Sequence, residues 1–145
     1  MEKKYRVGIV GGTGMVGQRF ATLLEHHPWF TVTAIAASGR SAGKTYGQAV
    51  EGRWMMERPV PQNMKDLVVK DAQDVEAMKR EVDFVFCAVD MKKEEIRQLE
   101  EAYAKAEVPV VSNNSAHRGT PDVPMVIPEI NPEHTGVIPA QRRRL

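Results

Sequence analysis

A glycine-rich segment that joins a short apolar run to an amphipathic stretch constrains the fold of this chain more than any other feature. The apolar run extends from Tyr5 to Val10, and residues 11–17, Gly-Gly-Thr-Gly-Met-Val-Gly, follow it directly. Four apolar residues then recur at helical spacing, namely Val16, Phe20, Leu23 and Leu24. The order of strand, glycine turn and helix predicts the start of a βαβ unit.

The glycine segment fits the dinucleotide-binding pattern in two registers. Starting at Gly12 it reads G-x-G-x-x-G, and starting at Gly11 it reads G-x-x-G-x-x-G, a variant with wider spacing. Glycines let the backbone turn sharply and approach a pyrophosphate, whose charge meets the free N–H groups at the start of the following helix. The predicted donors are Thr13, Gly14, Met15 and Val16. A glycine turn without a ligand is the alternative interpretation.

The rest of the chain alternates between strand and helix patterns. Pro28 ends the first helix, Phe30 to Ala37 indicates a buried second strand, and residues 38–58 indicate a long loop with one helical turn. Further strands are predicted at Leu67 to Val69, Asp83 to Ala88, Val108 to Ser112 and Val123 to Ile127, and further helices at Asp74 to Arg80 and Lys92 to Glu107. This alternation predicts an α/β fold with a doubly wound, mostly parallel, Rossmann-like sheet.

Length, charge and cysteine content limit the classes of function. The 145 residues predict one domain, 1–145, and a net charge of +1 supplies no general field for nucleic acid. No apolar run approaches the roughly 20 residues of a membrane span, and Arg142 to Arg144 is predicted to be a solvated helix end. The single cysteine, Cys87, excludes an intramolecular disulfide and a multi-cysteine metal site. We therefore expect a cytoplasmic protein without nucleic-acid or membrane partners.

The loop after the second strand favours NADP over NAD. An NAD site usually carries an acid about 20 residues beyond the glycines, but no Asp or Glu occurs between Glu25 and Glu51. Ser38, Arg40 and Ser41 occupy the expected place instead. Hydroxyl groups and a guanidinium group suit a 2′-phosphate. A solvated basic loop is the alternative interpretation.

Two other strand ends carry candidate functional residues. Cys87 lies in an apolar run without an adjacent histidine or cation, so it is predicted to be structural or to line the cofactor rather than to act as a nucleophile. Residues 112–118, Ser-Asn-Asn-Ser-Ala-His-Arg, gather groups that can orient a small anionic substrate or can simply form a turn network. Within this segment His117 has no metal-ligand partners at the required spacing.

Five separated motifs, in consistent order and spacing, connect the chain to a known family. They are Gly-Gly-Thr-Gly-Met-Val-Gly-Gln-Arg-Phe at 11–20, His-Pro-Trp-Phe at 27–30, Ser-Gly-Arg-Ser-Ala-Gly-Lys at 38–44, Ser-Asn-Asn-Ser-Ala-His-Arg at 112–118 and Asp-Val-Pro-Met-Val-Ile-Pro-Glu-Ile-Asn-Pro-Glu-His at 122–134. With these motifs the chain resembles the N-terminal part of the aspartate-semialdehyde dehydrogenases, in the branch that includes archaeal and fungal enzymes.

The resemblance implies an NADP-dependent, homo-oligomeric enzyme that reduces aspartyl phosphate to aspartate semialdehyde and releases phosphate, on the route to lysine, threonine and methionine. By matched position, the cofactor residues are Thr13, Gly14, Met15 and Val16 at the pyrophosphate, Ser38, Arg40 and Ser41 at the 2′-phosphate, and Cys87 and Ala88 along the cofactor. Arg118 matches the arginine that binds the phosphate of the acyl phosphate.

The resemblance also implies what this chain lacks. The family's nucleophilic cysteine follows the stretch matched by Gln141 to Leu145, and its catalytic histidine lies in a second domain. Thioester chemistry requires that cysteine, so we expect this chain alone to bind nucleotide without turnover. Pro139, in what the resemblance makes a helix, suggests an altered end. The alternative functions are a malonyl-CoA reductase of the same superfamily and a non-catalytic nucleotide-binding module.

Overall fold

The computed structural model describes residues 4–145, so the first three residues of the predicted domain lie outside the described part of the chain. The strands are β1 (Tyr5–Val10), β2 (Phe30–Ala37), β3 (Lys70–Asp71), β4 (Phe84–Cys87) and β5 (Val110–Ser112). They form one sheet in the order β3-β2-β1-β4-β5, with every neighbouring pair parallel. The predicted doubly wound parallel sheet is confirmed.

Helices connect the strands and cover both faces of the sheet. They are α1 (Met15–Leu24), α2 (Tyr46–Ala49), α3 (Val75–Glu81), α4 (Lys93–Lys105) and α5 (Ile138–Arg144), with a 3₁₀-helix at Pro132–Val137. Asp74 caps α3, as its position predicts, because its side chain accepts a hydrogen bond from the Ala77 N–H at 3.1 Å. Across residues 4–145, the longest helices are too short or too polar to cross a bilayer.

The hydrophobic core is divided between the two faces of the sheet. Successive residues of a strand point to opposite faces, so Ile9 lies in the cluster that contains Tyr46, and Val10 lies in the cluster that contains Tyr103. Both clusters cover the second half of β1, which is why residues 7–10, Val-Gly-Ile-Val, are buried without an alternation of apolar and polar side chains.

The strand register brings the carboxyl ends of neighbouring strands to one edge. Val10 pairs with Ala36 of β2 on one side and with Cys87 of β4 on the other. Cys87 in turn pairs with Ser112 of β5. The loops that follow β1, β2, β4 and β5 therefore begin side by side, where open α/β sheets bind their ligands.

The third strand lies later in the chain than the apolar pattern predicts. The predicted strand is Leu67 to Val69, whereas the strand that pairs with β2 is Lys70–Asp71. The Val69 N–H instead donates to the Lys44 carbonyl at 2.7 Å, and the Val69 carbonyl accepts from the Gly43 N–H at 2.8 Å. The prediction is wrong because an apolar run indicates burial and does not identify the backbone with which the segment pairs.

The predicted sixth strand, Val123 to Ile127, is also wrong, since this segment has no strand structure. Pro124 lacks the N–H group that a ladder requires. The Ile127 N–H donates to the Asn131 side chain at 2.7 Å, and the Asn131 amide donates to the Met125 carbonyl at 2.9 Å. Local side-chain hydrogen bonds therefore satisfy the backbone and replace pairing with the sheet.

The end of the chain is an ordinary helix that packs back onto the domain. Pro139 lies in the first turn of α5, where a proline is well tolerated, so this proline does not by itself indicate an altered end. Residues 142–144 are exposed at the end of α5, as predicted for a solvated helix end, and Arg144 also pairs with Asp122 at 2.6 Å and with Glu101 at 3.2 Å. The hydrogen bond from Arg144 lowers the pKa of the Asp122 carboxyl group.

Candidate nucleotide-binding site

The turn that leaves β1 can be made only by glycine. Gly11 has a φ of +89°, in the region that favours glycine, and a Cβ atom there would collide with the Ala88 carbonyl. The N–H groups of Gly11 and Gly12 both donate to the Ala36 carbonyl, at 2.8 and 3.1 Å. The turn is therefore fixed between the ends of β2 and β4.

The two later glycines of the segment differ in what surrounds them. A Cβ at Gly17 would collide with the Gly11 carbonyl and lie 2.7 Å from the Gly12 Cα, so this glycine allows α1 to pack against the turn. A Cβ at Gly14 would meet one protein atom within 4 Å, the Gly11 carbonyl oxygen at 3.9 Å. The space beside Gly14 is open, as required where a phosphate group approaches the backbone.

The start of α1 has the properties of an anion-binding helix terminus. Gly14 is its N-cap and supplies no side-chain cap, and the first turn contains no acidic residue. Met15 and Val16 are exposed together with Gly14, whereas Thr13 is buried. The structure therefore brings the four predicted pyrophosphate residues together, and three of the four face solvent at the positive end of the helix.

Two buried side chains that the sequence analysis missed hold this loop in place. The Tyr46 hydroxyl donates to the Gly12 carbonyl at 2.8 Å. Gln18, 1% exposed, donates to the carbonyls of Thr13 at 3.0 Å and Arg53 at 3.1 Å, and accepts from the Met55 N–H at 2.9 Å. Both side chains therefore hold the glycine loop through hydrogen bonds from the buried side.

A sequence signal exists for one of these two residues. The apolar spacing of Val16, Phe20, Leu23 and Leu24 places Gln18 on the opposite side of the helix, but the structure buries Gln18 together with Ala21 and exposes Val16 and Leu23. Thr45 and Gln48 form a capping box that starts α2, and this places Tyr46 on a helix rather than in a loop. The Thr-x-x-Gln pattern at residues 45–48 was therefore the available signal.

The loop after β2 presents two of its three predicted residues to solvent. Ser38 and Arg40 are exposed, whereas Ser41 is 6% exposed and its N–H donates to the Ser38 carbonyl at 2.9 Å. The neighbouring strand also brings a carboxylate close to this loop, because Asp71 Oδ2 lies 3.6 Å from the position of a Cβ at Gly39. The sequence analysis missed this acid because it reaches the loop through strand pairing rather than through sequence proximity.

Cys87 is buried at the end of β4, and its thiol is a weak nucleophile. Burial raises the pKa of the thiol to about 12, with the nearby Glu100 carboxylate as the next cause. Asn114 donates to Cys87 Sγ at 3.5 Å, and Glu100 Oε2 has no hydrogen-bond partner among residues 4–145. Among residues 4–145, the groups that lower the pKa of this thiol include no cation. The position suits a structural residue, while Ala88, whose N–H donates to the Val10 carbonyl at 2.9 Å, lies directly against the glycine turn.

Residues 112–118 form a turn network that exposes one cation. The Asn114 N–H donates to the Ser112 hydroxyl at 2.9 Å, and the Arg118 side chain donates to the Asn113 carbonyl at 3.1 Å. Arg118 is exposed beside a cavity of about 550 Å³ that Asn114 also lines. The turn network and a substrate site are therefore compatible, since the network leaves the guanidinium group accessible.

His117 has a structural environment. The ring is buried, with Nδ1 3.0 Å from the Thr120 hydroxyl and Nε2 3.3 Å from the Arg97 carbonyl. Both ring nitrogens are thus engaged within the domain. In the described part of the chain there is no cluster of three His, Cys, Asp or Glu side chains that could hold a metal ion.

A glycine turn on a parallel sheet, with an uncapped helix start beyond it, defines a dinucleotide-binding domain. Residues 6–138 match the family described as semialdehyde dehydrogenase, NAD binding domain. The chain belongs to this family.

Individual relatives agree with this assignment. The chain is 45% identical over 142 residues to aspartate-semialdehyde dehydrogenase of Archaeoglobus fulgidus. The aligned residues cover 97% of this chain and 39% of that enzyme. It is 39% identical to the Aspergillus fumigatus enzyme, over 97% of this chain and 37% of the relative. The crystal structure of the Candida albicans enzyme with NADP superposes with a TM-score of 0.86 at 37% identity, and covers 98% of this chain and 38% of that chain.

Proposed function

We propose that this chain is the NADP-binding part of an aspartate-semialdehyde dehydrogenase, which reduces aspartyl 4-phosphate to aspartate 4-semialdehyde with release of phosphate. The observation that carries the proposal is the geometry of the glycine loop, with open space beside Gly14 and uncapped N–H groups at the start of α1. The archaeal and fungal relatives named above support the choice of enzyme. NADPH, when bound, supplies the hydride for the reduction.

The preference for NADP rests on the loop after β2. Arg40 and Ser38 are exposed where a 2′-phosphate would lie, and no hydrogen bond or ion pair within residues 4–145 engages the Arg40 side chain. The Candida albicans relative was crystallised with NADP. Asp71 Oδ2 lies 3.6 Å from the position of a Cβ at Gly39, so the attraction of Arg40 for a 2′-phosphate must outweigh the repulsion from one nearby carboxylate.

Calorimetric titration with NADPH and NADH tests this preference. We expect NADPH to bind at least about tenfold more tightly, which corresponds to about 1.4 kcal/mol. Arg40→Ala should reduce this difference and leave the affinity for NADH unchanged. Equal affinities of the unaltered chain for the two nucleotides would remove the 2′-phosphate assignment.

The substrate end of the site is proposed to lie at the loop after β5. Arg118, exposed beside the cavity of about 550 Å³, would bind the phosphate of the acyl phosphate through its planar guanidinium group. A relative 27% identical to this chain, aspartate-semialdehyde dehydrogenase II of Vibrio cholerae, was crystallised with aspartate semialdehyde. Phosphate is the further proposed small-molecule partner.

The chain spans 39% of the Archaeoglobus fulgidus relative and 37% of the Aspergillus fumigatus relative. Its one thiol, Cys87, is buried with a raised pKa, so we propose that this chain binds nucleotide but does not turn over aspartate semialdehyde with NADP and phosphate. A steady-state assay of the highly purified chain tests this. Turnover that persists after removal of trace full-length enzyme, and that Cys87→Ser abolishes, would show that Cys87 is a nucleophile.

We also propose that the protein acts in the cytoplasm as a homo-oligomer. The cytoplasmic assignment is supported by its single, buried cysteine, which suits a reducing compartment. The oligomer is supported by apolar side chains exposed near the carboxyl-terminal region, Met125, Ile127, Ile130 and Ile138. Sedimentation velocity over a range of protein concentrations measures the association.

A further inference from the structure

A second segment of the chain is held rigidly against the glycine loop. Gln18 joins the two, because one amide group reaches the carbonyls of Thr13 and Arg53 and accepts a hydrogen bond from the Met55 N–H. All three bonds are 2.9–3.1 Å long, and the Gln18 side chain is buried. The backbone at residues 53–55 therefore has a fixed position relative to the amino end of α1.

Further contacts hold this segment from its other side. The Arg53 N–H donates to the Val50 carbonyl at 2.9 Å, and the Trp54 indole donates to the Arg58 carbonyl at 2.7 Å. The Trp54 ring also packs edge-on against Tyr46, with ring centroids 6.2 Å apart. Since Tyr46 itself bonds to the glycine loop, the two segments form one supported unit.

The side chain of Arg53 is the unexplained part of this unit. Arg53 is exposed and is one of the residues that line a cavity of about 360 Å³, which Thr13, Gly14 and Met15 also line. Among the described residues, no hydrogen bond or ion pair engages its guanidinium group. A cation with a fixed backbone and an unpaired head group thus lines the same cavity as the start of α1.

Electrostatics indicates what this cation can bind. The glycine segment 11–17 contains no charged residue, so backbone N–H groups and the helix dipole are its own means of meeting a pyrophosphate. A pyrophosphate carries two negative charges, and guanidinium groups pair with phosphate oxygens in a planar, bidentate manner. Arg53 would supply the charge that the loop itself lacks.

We propose that Arg53 is a further cofactor-binding residue, whose guanidinium group pairs with the pyrophosphate of the dinucleotide held at the amino end of α1. The assignment rests on the proposed nucleotide-binding function. It also separates two kinds of cation in the site, because Arg40 acts on the 2′-phosphate that only NADPH carries, whereas Arg53 acts on the pyrophosphate that both nucleotides share.

Calorimetric titration of NADPH and NADH into the unaltered chain, Arg53→Gln, Arg40→Ala and Arg58→Gln tests the proposal. Arg58→Gln is the matched control, since it removes the same charge from the same exposed segment, outside the residues that line the cavity. We expect Arg53→Gln to weaken both nucleotides by the same factor, about five- to tenfold, and to reduce the dependence of affinity on salt. Arg58→Gln should change neither affinity, and the melting temperatures should stay the same.

Each other outcome contradicts a different statement. If the unaltered chain binds neither nucleotide, the proposed function and the role of Arg53 fall together. If it binds both nucleotides and Arg53→Gln binds them equally well, the role of Arg53 alone is wrong. If Arg53→Gln weakens NADPH and leaves NADH unchanged, the guanidinium group acts on the 2′-phosphate and the pyrophosphate assignment is wrong.

Discussion

Separate replacement of Gly14 and Gly17 by alanine distinguishes the part of the glycine loop that binds a ligand from the part that packs the fold. The two residues are three positions apart on the same short segment. A methyl group at Gly17 would collide with the Gly11 carbonyl, whereas a methyl group at Gly14 would lie 3.9 Å from the nearest atom outside its own neighbourhood. The same chemical change is therefore expected to have two different effects.

The cost at Gly17 is a loss of stability. Glycine to alanine inside a helix gains about 1 kcal/mol from chain entropy, but overpacking costs about 1–3 kcal/mol even against side chains that can move. Here the colliding atoms belong to the backbone of Gly11 and Gly12, which cannot rotate away. We expect a net loss of about 2–4 kcal/mol, or a melting temperature lower by about 6–15 °C for a domain of this length.

The cost at Gly14 is a loss of binding. The Gly14 backbone, with φ −80° and ψ 171°, suits alanine, so the stability change is that of a poorer helix cap, about 0.5–1 kcal/mol. The methyl group would, however, occupy the open surface that a pyrophosphate approaches. We expect nucleotide affinity to fall at least about tenfold, so that binding is still detectable at high nucleotide concentration.

Thermal unfolding by circular dichroism and calorimetric titration with NADPH measure the two effects on the same samples. Gly14→Ala should melt close to the unaltered chain and bind poorly, and Gly17→Ala should melt early. The argument fails if Gly14→Ala retains full affinity, because the open surface beside it would then not be where the ligand lies. It fails equally if Gly17→Ala melts at the temperature of the unaltered chain.

Two further predictions concern the buried groups beneath the site. Tyr46→Phe leaves the Gly12 carbonyl without its donor, so it should reduce stability by about 1–3 kcal/mol and also weaken nucleotide binding. Tyr103→Phe removes a comparable buried hydrogen bond to a backbone carbonyl on the other face of the sheet, so it should reduce stability alone. Equal nucleotide affinities in the two variants would show that Tyr46 does not support the loop. Cys87, with a pKa of about 12, should be alkylated at pH 8 about a thousandfold more slowly in the native chain than in the chain unfolded by urea, and the rate should rise with pH through the alkaline range. Glu100→Gln should accelerate the reaction because it lowers the thiol pKa. Rapid alkylation of the native chain would contradict the burial of the thiol.

Local sequence patterns were sufficient for the first βαβ unit. The bounds of β1 and β2 coincide with the apolar runs Tyr5 to Val10 and Phe30 to Ala37, and α1 ends before Pro28 as predicted. Each of these elements is defined by burial and by an adjacent breaker residue, both of which are properties of the sequence itself. The glycine loop between them was predicted correctly for the same reason.

Features that depend on a partner distant in sequence were not predicted. Val69 is buried and apolar, yet its backbone pairs with the loop around Lys44 rather than with β2. Asp71 reaches the loop after β2 because β3 lies beside β2, although more than thirty residues separate it from Ser38. Pairing between segments distant in sequence determines both positions, and a local sequence pattern does not predict that pairing.

The site residues divide into two groups that depend on different parts of the fold. The predicted pyrophosphate and 2′-phosphate residues lie between Thr13 and Ser41, on or directly after one βαβ unit in which the Gly11 and Gly12 N–H groups donate to the Ala36 carbonyl. The predicted substrate residue, Arg118, depends instead on the pairing of β4 with β5 and on the turn network that follows. Disturbance of β5 should therefore displace Arg118 while it leaves the adenine end of the nucleotide site intact, so substrate binding and nucleotide binding can be lost separately.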